Sequence, residues 1–162
     1  MRSDLLDVVN SFPFNEVSIG YRLVTIFTAD ELKEAQIGYS IDINGQSLTG
    51  TGDGDWYPSW LVIGNEDETG DPIFIDADDD QFPVYTAMHG EDDWEPDEIA
   101  VSLNSFISAL CYIKELSVGR ENPVALEKNP IPTDEQERIL KIISETNKNI
   151  EMDFWETWLE NE

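Results

Sequence analysis

The chain has 162 residues, with 35 acidic and 9 basic side chains and a formal net charge of -26 at pH 7. Hydrophobic residues make up 40% and aromatics 10%, enough for a core and too much for the disorder that such a charge often brings. Phosphate-driven nucleic-acid binding is excluded by the shortage of Lys and Arg, a spanning helix by the lack of any run near ~18 apolar residues, and a disulfide framework by the single Cys111.

The first residues, MRSDLLDVVNSF, carry two Asp and no long apolar run, so they do not read as a secretion signal. Leu5, Leu6, Val8, Val9 and Phe12 predict a short helix over 3–12. YRLVTIFT (21–28) reads as a strand. Thr28 and Glu31 have capping-box spacing for a short helix ending at Ala35. QIGYSIDI (36–43) alternates like a strand and leads into an Asn44-Gly45 turn. TGTGDGD (49–55) is a loop. WLVI (60–63), PIFID (72–76) and FPVYT (82–86) are short apolar runs that predict a mainly antiparallel sheet.

After Pro96 the period changes. Leu103, Phe106, Ile107, Leu110 and Ile113 predict a helix with Ser102 as N-cap and Gly119 as stop. Residues 120–132 hold three Pro and read as a connector. Thr133 with Gln136 suggests a second capping box before Ile139, Leu140, Ile142 and Ile143. Phe154, Trp155, Trp158 and Leu159 suggest a last helix. The expectation is a single α+β domain over 1–162, with a small, mainly antiparallel sheet covered by helices. Its core spans about 20–119, and C-terminal helices extend it over about 133–160.

Charge is placed unevenly. Residues 34–113 contain 18 acids and no Lys or Arg. Glu66–Glu68, Asp78–Asp80 and Glu91–Asp93 are acidic clusters on predicted loops, where the potential should reach several kT. Such a surface serves solubility, attracts a basic partner or holds a divalent metal. Asp76, Asp78 and Asp80 have calcium-loop spacing, but Gln81 and Ala87 stand where an EF-hand needs Gly and Glu. His89 is the only histidine, and no nucleophile motif accompanies it. It reads as a hydrogen-bonded residue at a strand end. Cys111 reads as a core thiol, and the glycines of 49–55 lack the phosphate-loop pattern. No metal or cofactor is expected, and no enzymatic activity.

Trp56 and Trp94 stand in acidic loops. Aromatic anchors within a charged rim have the anatomy of a protein interface, although a loop Trp can also fold back onto a sheet. The candidate partner-binding residues are Asp53, Asp55, Trp56, Asp78, Asp79, Asp80, His89, Glu91, Asp92, Asp93 and Trp94.

Four segments in order carry a family resemblance: WLVIG (60–64), GDPIFID (70–76), PVYTAMHG (83–90) and IAVSLNSFI (99–107). The chain resembles the SUKH superfamily, the Smi-one/Knr-four-like proteins. Trp60, Ile63 and Gly64 match its opening motif, Gly70, Asp71 and Asp76 its Gly-Asp turn and strand end, Val84 and Tyr85 its next strand, and Ser102 and Phe106 its helix start. The resemblance implies helices packed on a small sheet, a cytoplasmic location and a binding role. Many bacterial members are immunity proteins that neutralise toxins, often nucleases, by direct contact, and others are adaptors. A basic protein partner, such as a toxin domain, is therefore expected, with neither nucleic acid nor membrane as a partner. An interaction module without a toxin, or a divalent-cation or small-ligand binder, are the alternatives.

Overall fold

The computed structural model describes residues 2–67 and 69–161. Six strands form one antiparallel sheet in strictly sequential order, β1 (Glu16–Ile19), β2 (Arg22–Ile26), β3 (Trp60–Glu66), β4 (Asp71–Asp76), β5 (Val84–Thr86) and β6 (Asp97–Ala100). The sheet curls into a half-barrel. Helices α1 (Ser3–Asn10), α2 (Leu32–Ala35), α3 (Leu103–Ser117), α4 (Pro123–Lys128), α5 (Thr133–Thr146) and α6 (Asp153–Trp158) complete the α+β fold. The sequence assigns the 60–63, 72–76 and 82–86 strands and the α3 helix to these places.

Strand alternation divides the sheet into two faces. Ile63, Ile73, Ile75, Val84 and Ile99 belong to the main core with Leu5, Val9, Phe106, Leu110 and Ile113. Ile139, Ile143, Trp155, Trp158 and Leu159 are buried in that same cluster. Two polar side chains fasten the C-terminal helices there. The Trp155 indole N–H donates to Ile99 O at 2.8 Å. The Asn147 amide oxygen accepts from Val101 N–H and from the Ser105 hydroxyl, each at 2.9 Å. Helix α3 starts as its sequence indicates: Ser102 and Ser105 cap one another's backbone N–H.

Trp60, Val62, Phe74 and Ala87 point to the other face and, with Trp56, form a second core. Among the described residues no helix longer than one turn lies over it; segments 36–58 and 88–96 supply its cover, through Tyr39, Trp56 and Trp94.

Several expectations need correction. Residues 36–43 are not a strand but turns with isolated bridges at Ile37, Ile41 and Ser47. Gly38, at φ +92°, breaks the extended run, and Gln36 turns inward. Asp42 organises the Asn44-Gly45 turn, its carboxylate accepting from Asn44 and Gln46 N–H. The 120–132 connector contains α4, which Asn122 caps by accepting from Ala125 N–H. At α5, Thr133 is already the first helical residue, and Gln136 donates to Ile131 O instead of closing a capping box. Near α2, Glu31 accepts from the Thr28 N–H and hydroxyl, yet the helix begins only at Leu32. Strands β1 and β6 lie outside the runs assigned from the sequence.

Candidate binding face

The second core is an aromatic assembly. Trp56 is its centre, with ring centroids 4.6 Å from Phe74, 5.1 Å from Tyr39, 5.2 Å from Trp94 and 5.3 Å from Trp60. Its indole N–H donates to Trp60 O at 3.2 Å. At 2% exposure it cannot meet a partner. The anchor expected at Trp56 is therefore a packing residue. Its neighbour Tyr57 lies at the surface and is 37% exposed. Tyr57 stacks on Trp60, with centroids 4.7 Å apart and ring planes 22° from parallel. Trp94 is half-buried and touches both Trp56 and Tyr39.

Two acidic loops meet here. Trp94 N–H donates to Gly54 O at 2.9 Å. The Asp93 carboxylate lies where a Cβ on Gly54 would stand, so only glycine permits this approach, and at φ +84°. Asp55 tightens its own loop by accepting from Gly52 N–H at 2.9 Å. The result is a groove of about 470 Å³ lined by Tyr57, Trp60 and Trp94 and by Asp53, Asp55, Asp93 and Glu95. A second groove of about 430 Å³ shares Asp93 and Glu95 and adds Met88, Glu91, Asp92 and Asp97.

The structure thus brings together Asp53, Asp55, Glu91, Asp92, Asp93 and Trp94. It places Asp78, Asp79 and Asp80 apart from the grooves, on the exposed β4–β5 turn. There, Asp76 and Asp79 accept from Asp78 and Gln81 N–H, and Asp80 pairs with Arg2 at 3.3 Å. Asp79 still acts on the same sheet face. Burial and the nearby charges of Glu98, Asp76 and Asp79 raise the Tyr85 pKa above the ordinary tyrosine value. Burial and Asp79 raise that of Glu98 likewise. Burial and Asp71 raise that of Tyr39. Burial is the larger cause for all three groups, with the neighbouring carboxylates adding to it.

His89 lines neither groove. Its Nδ1 lies 2.8 Å from the Asp71 carboxylate, which also accepts from His89 N–H at 3.0 Å. It fixes one end of segment 88–96, as a strand-end histidine should. Tyr57, Trp60, Met88, Glu95 and Asp97 line the grooves and were not among the residues that sequence reasoning selected. Exposed Ile43 and Leu48, flanking the Asn44-Gly45 turn, belong with them as apolar surface on segment 36–58.

Among the described residues, no group of three or more His, Cys, Asp or Glu side chains converges as metal ligands. No helix among them is long and apolar enough to cross a membrane. Set against protein-family models, characterised proteins and solved structures, the chain matches none.

Proposed function

We propose that this chain is a non-enzymatic protein-binding domain that takes a basic protein partner on the aromatic, carboxylate-rimmed face of its sheet. The observation that carries the reading is the junction of the two acidic loops over the aromatic core. It gathers four carboxylates around exposed aromatic surface, within a segment that has no Lys or Arg of its own. Aromatic centres with charged rims are typical of interfaces, and the charge speeds encounter with a basic partner. The SUKH resemblance favours an immunity protein acting in the cytoplasm, with a toxin as partner. The phosphate-contacting surface of a nuclease toxin would have the required charge.

The test is co-purification with the products of genes adjacent to its own, followed by association kinetics on the complex. Asp53→Lys, Asp93→Lys and Glu95→Lys together should abolish the complex. Reversing Asp78, Asp79 and Asp80 to Lys should only slow association, by about tenfold at low salt, and flatten its salt dependence. Unchanged affinity after reversal of the groove carboxylates would remove this face from the mechanism.

A further inference from the structure

We infer that the groove between the two acidic loops is a slot for a single arginine side chain of the partner. The inference rests on the reading above, that a basic protein docks on this face, and names the chemistry at its centre.

The walls are aromatic. Tyr57 and Trp60 form a stacked pair, and Trp94 belongs to the same groove. A cation is attracted to the face of such rings, most strongly when it is partly desolvated. The remaining lining is anionic: Asp53 and Asp55 come from one loop, Asp93 and Glu95 from the other. Among the described residues, none of these four carboxylates is paired with a cation of the chain, and Asp55 accepts only from Gly52 N–H. The chain's ion pairs among the described residues involve Asp4, Asp71, Asp80, Glu135 and Glu160, none of which lines the slot. The cation–π contacts among the described residues are Arg2 over Phe82 and Lys114 over Phe14, also elsewhere.

The combination selects guanidinium over ammonium. Arginine is planar, weakly hydrated and able to stack on an aromatic face while donating edgewise to carboxylates. A lysine ammonium is compact and strongly hydrated, and uses only the charge. The slot is also pre-shaped. Trp94 N–H to Gly54 O and the packing of Asp93 against Gly54 hold the two loops together through the chain's own contacts. Little ordering entropy is then left to lose on binding.

The probe is the pentapeptide acetyl-Gly-Gly-Arg-Gly-Gly-amide, with lysine and citrulline versions, titrated into 15N-labelled full-length protein. The readout is the indole N–H resonances of the five tryptophans, with Trp155 and Trp158, buried in the other core, as internal controls. The arginine peptide should shift Trp60 and Trp94 saturably. Citrulline has the same outline without the charge, and should bind about tenfold more weakly or worse. Lysine should fall between them. Tyr57→Ala, a change at an exposed position, and the near-isosteric pair Asp93→Asn with Glu95→Gln should each weaken arginine binding several-fold. Equal response to arginine and citrulline, or arginine-induced shifts that leave Trp60 and Trp94 unmoved, would overturn the slot. Polylysine separates this from the wider reading. If polylysine perturbs the acidic loops while the arginine peptide leaves Trp60 and Trp94 silent, the slot is wrong and the basic-partner reading stands. If neither probe binds, both fail.

Discussion

Gln36 shows how one side chain can replace a strand. Strand β2 pairs with β3 only from Gly64 onward, leaving the backbone of Val62 without a sheet partner on that side. The buried Gln36 amide fills the gap. Its oxygen accepts from Val62 N–H at 2.9 Å, and its nitrogen donates to Val62 O at 2.9 Å and Leu32 O at 2.8 Å. Gln36→Leu keeps the volume and orphans both Val62 groups, so urea unfolding should show a loss of about 2–4 kcal/mol. Glu98 gives the opposite case. Its folded-state pKa is raised, so folding is penalised at every pH above that value. The penalty is relieved as pH falls through it toward the ordinary glutamate range. Glu98→Gln should therefore raise the melting temperature at neutral pH, and the gain should vanish once the medium is acid enough to protonate glutamate. A constant difference at all pH values would show that Glu98 acts through packing instead. Neither role was legible from the sequence. Gln36 sat in an apparent alternation of apolar and polar residues, and period alone cannot distinguish an exposed amide from one that turns inward to bond a distant backbone.

At the level of elements, the apolar runs were readable because each strand of the centre buries a face. WLVI, PIFID and FPVYT consist mainly of residues that pack on a pleated surface. Strand β6 escaped because it opens with Asp97 and Glu98, and β1 because four residues between turns leave little pattern. The β3 bulge between Val62 and Gly64 was equally hidden. It explains why glycine stands there: a Cβ on Gly64 would run into the carbonyl oxygen of Thr25 on β2. Gly64→Ala must push β2 away from β3, where no flexible side chain can yield. It should cost about 2–4 kcal/mol, within the range of large single-site effects. Stability unaffected by this change would mean that the two strands can separate freely. Of the candidate binding face, the acidic loops were legible and their meeting was not. The contact of Gly54 with Asp93 joins loops some forty residues apart, and only the sheet order places them side by side.

The whole molecule carries its charge as a standing load. Only five ion pairs occur among the described residues, all but the His89–Asp71 pair formed by arginine. Most carboxylates among the described residues therefore have no cationic partner to offset their mutual repulsion. Monovalent salt shortens the reach of that repulsion to about 5 Å or less at ~0.5 M, so the melting temperature should climb between low salt and that concentration. A flat or falling curve would mean that the acids are spaced widely enough not to interact. The same salt should slow encounter with a basic partner, so stability and association rate are expected to move in opposite directions along one titration.

The sequential strand order has a consequence for how the chain assembles. Each strand finds its partner immediately next to it in sequence, apart from the long excursion between β2 and β3. Closing a hairpin sacrifices little chain freedom, so β3 through β6 can zip together early, carrying Trp60 and Phe74 with them. Residues 3–10 and 133–159, by contrast, reach their places only after the middle has formed, because Leu5, Ile139 and Trp155 dock on a surface that it creates. Pulse-labelled hydrogen exchange during refolding should protect the β3–β4 amides first and the terminal helices last. A ribosome-bound chain would expose an unfinished apolar face until residues 133–159 emerged.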